Sequence, residues 1–156
     1  MVKVTKKATL TVASLALAAN MVLPSWSTAN AADFYIVVNE ANGFSGSEDE
    51  AKALARRIFL KNAKSWPGGK KAVPFARKTS SPEQMALLSE ILGMSDSEHV
   101  QHWARQKQTT GDTPPRAVGS NSILLRLVKR EEGSIAIVDG SGPEPEGVRV
   151  LLKISN

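Results

Sequence analysis

The sequence predicts an α/β fold with a mixed, mostly parallel sheet flanked by about four helices. Two runs, residues 34–38 and 134–138, are almost entirely apolar and have no polar face, which is typical of strands buried on both sides. Amphipathic segments separate these runs, in the order strand, helix, strand, three helices, strand, strand. This order favours helices packed in layers against one sheet.

The first helix begins after a loop that follows strand 34–38. Ser47 and Glu50 have the spacing of a capping box, which predicts a helix start at this point. The apolar residues that follow fall on one helical stripe: Ala51, Leu54, Ala55, Ile58 and Phe59. A short strand is expected over 72–76, where Pro74 suits an edge or a strand end.

Two helices are predicted between this strand and a polar loop over 109–117. The second helix begins near Pro82 and ends at Gly93. Ser95 and Glu98 form another capping box, and we expect the third helix to run to about Arg105.

The fourth helix begins at Gly119-Ser120, and its apolar side faces the core. It ends before Gly133, which precedes the strand 134–138. A Gly- and Pro-rich turn over 139–147 leads to the final strand, 148–154.

The first 31 residues predict a signal peptide cleaved after Ala31. A lysine-rich start precedes an uncharged apolar stretch over 8–23, and Ala29-Asn30-Ala31 offers small residues at the cleavage positions. An uncleaved anchor is the alternative, but the stretch is shorter than the ~20 apolar residues that a membrane span needs. We therefore expect one exported domain, 32–156, without stable membrane insertion. The absence of cysteine fits a periplasmic or secreted bacterial protein.

Charge is distributed unevenly along the chain. Residues 51–82 contain nine basic side chains and no acidic one: Lys52, Arg56, Arg57, Lys61, Lys64, Lys70, Lys71, Arg77 and Lys78. All 15 acidic residues lie outside this window, and the formal net charge of the whole chain is only +5. This pattern disfavours a uniformly basic nucleic-acid binder, so no nucleic-acid partner is predicted.

The end of the basic run predicts an anion site. Hydroxyl residues Thr79, Ser80 and Ser81 precede Pro82 at a helix start, with Arg77 beside them. A helix N-terminus offers free N–H groups and partial positive charge, and guanidinium binds oxyanions bidentately. Gly119 and Ser120 open another helix in the same manner. Ordinary capping explains these hydroxyls as well, so both interpretations stay open.

Catalytic and metal chemistry find little support in the sequence. His99 and His102 stand three residues apart on a predicted helix, but without cysteine they are better interpreted as surface residues than as a metal site. Ser134 has no identifiable base partner, and no spacing of serine, histidine and acid argues for a triad. We predict a non-enzymatic protein without cofactor or metal.

Several segments, taken in order, resemble the phosphate-binding substrate-binding proteins of ABC transporters. They are the helix ending at 57–61, the Trp66 turn, the strand leading into 77–81, and the Gly119-Ser120 helix followed by 133–138. The resemblance covers about 34–154 and implies a single lobe, the second, of a type II periplasmic-binding-protein-like fold. It implies phosphate or a similar oxyanion at the hydroxyl-rich helix start. Ala136 and Ile137 replace the family's glycine and tyrosine, and the family's first lobe has no counterpart.

Two functions from different classes follow. One is an exported small-anion binding protein whose exposed site binds weakly. The other is a protein-interaction or envelope-signalling module that has lost ligand binding and docks an acidic partner, or self-associates, through its basic face. Association with nucleic acid or anionic lipid is a weaker third, since few aromatic residues accompany the basic ones.

Overall fold

The computed structural model describes residues 33–155, so the predicted signal peptide 1–31 lies outside the described residues. The strands are β1 (Phe34–Asn39), β2 (Val73–Ala76), β3 (Arg116–Ala117), β4 (Ser134–Asp139) and β5 (Val148–Ile154). The helices are α1 (Glu48–Phe59), α2 (Pro82–Ala86), which continues as a π-helix over Leu87–Leu92, α3 (Asp96–Thr109) and α4 (Asn121–Arg130). Within residues 33–155, no helix is long and apolar enough to cross a membrane.

The five strands form one mixed sheet in the order β3-β2-β4-β1-β5. β2 runs parallel to β3 and β4, whereas β1 runs antiparallel to β4 and β5. The mixed α/β fold is therefore confirmed, with parallel and antiparallel pairings in equal number. β3 lies within the predicted polar loop 109–117, because a strand of two residues carries no readable periodicity.

The helix starts follow the predicted caps. Ser47 and Ser95 each form the full capping box with the glutamate three residues later. The π-helical segment ends at Gly93, whose φ of 59° allows the left-handed cap. α3 extends to Thr109, beyond the expected end at Arg105, since no glycine or proline interrupts it earlier.

Two apolar clusters hold helices against the sheet. α1 and α2 cover one face, where Ile36, Ile58 and Leu87 are buried. α4 covers the other face through Leu124 and Val128. β1 and the apolar residues of β4 are buried throughout, as their unbroken apolar runs predict.

The strand directions place several loops at one edge of the sheet. β2, β3 and β4 are parallel, so the loops after them, 77–81, 118–120 and 140–147, begin at the same side, which we call the carboxyl edge. β1 begins at this edge, because the Gly140 N–H donates to the Asp33 carbonyl at 2.7 Å. In open α/β sheets, this is the side where ligands bind.

Candidate anion-binding site

The two predicted site segments meet at the carboxyl edge. β2 and β3 are neighbours, and the Val118 N–H extends their pairing by donating to the Ala76 carbonyl at 2.9 Å. The chain then enters α2 on one side and α4 on the other. Residues 77–81 and 119–120 therefore lie side by side, although about 40 positions separate them in the sequence.

Two of the predicted hydroxyls cap the helices that they precede. Ser81 Oγ accepts from the Gln84 N–H at 3.2 Å, and Ser120 Oγ accepts from the Ile123 N–H at 3.4 Å. Capping thus occupies one acceptor position on each oxygen. The Ser81 hydroxyl donates its proton to the Glu83 carboxylate. The Ser120 oxygen lies 3.0 Å from that of Ser122, and either of these two hydroxyls can be the donor.

Thr79 and Ser80 form the tip of a tight turn and are exposed. The Ser81 N–H closes the turn by donating to the Lys78 carbonyl at 3.1 Å. Ser80 has a φ of 66°, a left-handed conformation that is uncommon for a residue with a Cβ atom. Such strain is often associated with functional loops. In this turn, both hydroxyl residues face solvent.

Arg77 lies beneath this turn rather than on it, with only 7% of its surface exposed. Its Nη2 donates to Glu83 Oε1 at 2.7 Å, and its Nη1 donates to the Val118 carbonyl at 3.2 Å. Its Nε is buried without a hydrogen-bond partner among the described residues. Because two of its three guanidinium nitrogens already donate to protein groups, Arg77 cannot make the expected bidentate contact with an oxyanion in this arrangement. Arg77 instead ties the two loops together.

Glu83 forms a buried ion pair with Arg77, and the sequence pattern did not reveal this pairing. Burial by itself would raise the pKa of this carboxyl. Three groups stabilise the ionised form: the backbone N–H of Glu83 itself, Arg77 through its hydrogen bond and charge, and the Ser81 hydroxyl. Together they outweigh the effect of burial, so the pKa of Glu83 is lowered. Glu83 therefore stays ionised and neutralises Arg77.

Lys78 is the cation that reaches the surface of the site. A Cβ atom built on Gly119 would lie 2.6 Å from Lys78 Cε and 3.1 Å from its Nζ, so the lysine side chain lies across Gly119. Lys78 takes no part in the ion pairs found within residues 33–155. The sequence favoured Arg77 over Lys78 as the cation of the site. The one sequence signal for Lys78 is the glycine at position 119, which leaves room for the lysine side chain.

The rest of the basic run does not converge on this site. Lys64 pairs with Asp112 at 3.1 Å, and Lys70 pairs with Glu132. Arg56 and Arg57 are exposed in the last turn of α1. The run is contiguous in sequence, but its members occupy separate surfaces.

The histidine pair of α3 serves a different role. His99 Nε2 accepts from the Trp103 indole N–H at 2.9 Å. Burial lowers the pKa of His99, and the charge of Asp96 opposes this effect only partly. No group of three His, Cys, Asp or Glu side chains is placed to hold a metal ion in the part of the chain that the structure describes.

Solved structures share this fold. An ABC-type phosphate transport receptor from Vibrio cholerae aligns with 78% of this chain and 46% of its own length, at 18% identity and a TM-score of 0.54. A phosphate ABC transporter substrate-binding protein from Clostridium perfringens, solved with bound phosphate, aligns with 78% of this chain and 45% of its own, at 15% identity and a TM-score of 0.56. The chain spans less than half the length of either protein.

No protein-family model matches the sequence, and no curated protein matches it. The fold is that of a single lobe of a type II periplasmic binding protein. The predicted resemblance to the phosphate-binding proteins of ABC transporters is confirmed at the level of the fold.

Proposed function

We propose that this chain is an exported, non-enzymatic small-anion binding protein related to the substrate-binding proteins of ABC transporters, with phosphate as the first ligand to test. The observation that carries the proposal is the convergence of two helix starts at the carboxyl edge. Lys78 lies across Gly119, just before α4, and the exposed residues Thr79 and Ser80 follow Lys78 in the turn before α2. The N–H groups at the start of α4, the hydroxyls and one cation lie in adjacent loops, and together they suit an oxyanion.

The six predicted residues take different parts in this proposal. Thr79 and Ser80 donate from the turn, and Ser120 donates the proton that capping leaves free, while Ser81 caps α2 and hydrogen-bonds Glu83. Gly119 provides room for Lys78. Arg77 holds the two loops together through Glu83 and Val118, so its contribution is to position the donors.

Binding to this site should be weak and sensitive to salt. Thr79, Ser80 and Lys78 are exposed, so a bound anion keeps much of its water, and each contact made in high dielectric contributes little. We expect a Kd on the order of millimolar, equivalent to about 4 kcal/mol. Exposed charges are screened within about 10 Å at 0.1 M salt, so the affinity should fall as salt is added.

Export and lack of catalysis complete the proposal. The predicted signal peptide, 1–31, supports a periplasmic or secreted location after cleavage at Ala31. Neither histidine of the chain lies in the segments 77–81 and 118–120, so the hydroxyls there have no imidazole base beside them in the sequence. The proteins that share the fold are transport receptors, which accords with binding rather than turnover.

Isothermal titration tests the proposal directly. Phosphate and sulfate are titrated into the wild-type chain and into Lys78→Ala, with Lys52→Ala, an exposed lysine of α1, as the matched control. We expect Lys78→Ala to weaken binding several-fold and Lys52→Ala to leave it unchanged, because only Lys78 lies at the site. Equal affinity in all three proteins would contradict the assignment.

A further inference from the structure

The outer face of α4 carries a stripe of mixed character. Ile123, Arg126, Leu127 and Arg130 fall at i, i+3, i+4 and i+7, and we call them the α4 stripe. Ile123 is 44% exposed, and Leu127 is half-buried. Together with Lys129 they line a shallow groove of about 370 Å³.

Most of the α4 stripe lies outside the contact between α4 and the sheet, since Ile123, Arg126 and Arg130 are exposed. Leu124 and Val128, on the core side of the helix, are fully buried and make the main contact, and the partly buried Leu127 packs against the same cluster. Among the described residues, α4 is the one helix that contributes to the apolar cluster on this face of the sheet. Four partly buried side chains pack against this cluster: Val73, Leu125, Leu127 and Val150. Apolar surface therefore remains available beside a single helix.

The charged side chains that line the groove are all basic. α4 contains no acidic residue, and Arg126, Lys129 and Arg130 take no part in the ion pairs found within residues 33–155. A favourable interaction with the helix dipole explains cations in the last turn, such as Lys129 and Arg130. It does not explain Arg126, which lies in the middle of the helix beside two apolar side chains.

We propose that the α4 stripe docks an acidic amphipathic helix of a protein partner. Apolar side chains of the partner would cover Ile123 and Leu127, while its carboxylates would pair with Arg126 and Arg130. The i, i+3, i+4, i+7 spacing matches the ridges of a second helix, and arginine beside apolar anchors is typical of protein interfaces. This surface is separate from the anion site and does not depend on it.

The arrangement of charges favours a protein over a membrane surface. A helix that lies on a membrane places its cations and its apolar residues on opposite faces. In the α4 stripe, arginine and apolar residues alternate on the same face. Carboxylates interleaved with leucines on one helix face would complement this pattern, whereas lipid headgroups above an acyl layer would not.

Three synthetic helical peptides of about 18 residues, or five turns, test the proposal by fluorescence anisotropy. The first has leucines at i, i+3, i+4 and i+7 flanked by glutamates, the second has lysine in place of glutamate, and the third has serine in place of leucine. We expect the wild-type chain to bind the first peptide at least about tenfold more tightly than the other two. Equal binding of the first and third peptides would overturn the proposal, because simple ion pairing would then suffice.

Charge reversal provides the decisive comparison. The double variant Arg126→Glu, Arg130→Glu should transfer the preference to the lysine peptide, whereas Arg56→Glu, Arg57→Glu on α1 should leave it unchanged. Ile123→Asp, a single exposed change, should weaken binding of the first peptide about tenfold even if the double variant does not fold. Unchanged binding by Ile123→Asp, or tighter binding to phosphatidylglycerol vesicles than to the first peptide, would overturn the proposal.

Discussion

The indole Nε1 of Trp66 donates a hydrogen bond of 2.8 Å to the carbonyl oxygen of Gly133. The same oxygen accepts from the Val73 N–H at 2.9 Å. The turn before β2 is thereby joined to the turn before β4, which fixes where these parallel strands begin. The register of β2 on β4 starts at this contact, so the position of β2 at the carboxyl edge depends on it.

Gly133→Ala should destabilise the fold by about 1–3 kcal/mol or more, since overpacking a buried site forces the backbone to shift. A Cβ atom at this position would lie 1.8 Å from the Lys71 carbonyl oxygen, an atom that cannot move aside as a side chain can. Urea denaturation measures the change. Gly142→Ala is the matched control, because nothing lies within 4 Å of its Cβ position. Equal midpoints for the two variants would show that the contact is not rigid.

The stability of the protein should fall on acidification below about pH 4.5. Five carboxyls have pKa values lowered in the folded state: Glu50, Glu83, Glu98, Asp112 and Glu132. The N–H of a capping serine is the main cause at Glu50 and Glu98, and a lysine hydrogen bond is the main cause at the last two. A lowered pKa contributes stability that is complete above the ordinary value, 4.5 for glutamate, and is lost as the pH falls through the folded value.

Glu83→Gln isolates the buried member of this set. The variant should lose about 1–3 kcal/mol at pH 7, where the carboxylate bonds Arg77, and the difference from wild type should narrow as the pH falls below 4.5. Glu40→Gln, at an exposed position, is the control. Thermal unfolding between pH 3 and 7 provides the readout, and a difference that stays constant with pH would contradict the role given to Glu83.

Ser80→Gly should raise the free energy of unfolding by up to about 1 kcal/mol. The left-handed φ of Ser80 costs a residue with a Cβ atom about 1–2 kcal/mol, and glycine removes this strain. Part of the gain is offset because glycine also raises the conformational entropy of the unfolded chain. Ser45→Gly, in an exposed loop without a positive φ, should instead be slightly destabilising. If both variants lose stability equally, the turn is not strained.

Local signals account for the parts of the fold that the sequence predicts. The serine caps marked all four helix starts, and the apolar runs marked the strands of the core. The antiparallel pairing of β1 with β4 and β5 could not be predicted, because it depends on which later strands the fold places beside β1. The site shows the same limit. Cap residues are visible in the sequence, but the pairing of Arg77 with Glu83 and the position of Lys78 over Gly119 depend on how two loops meet.

The central claim is that an oxyanion binds where α2 and α4 begin, and amide chemical shifts measured during a phosphate titration test it most directly. We expect the amides of 79–81 and 119–123 to shift together, to approach saturation at millimolar phosphate, and to respond less as chloride is added. The amides of α1 and α3 serve as internal controls. Shifts confined to those helices, or no localised shifts at any phosphate concentration, would contradict the claim.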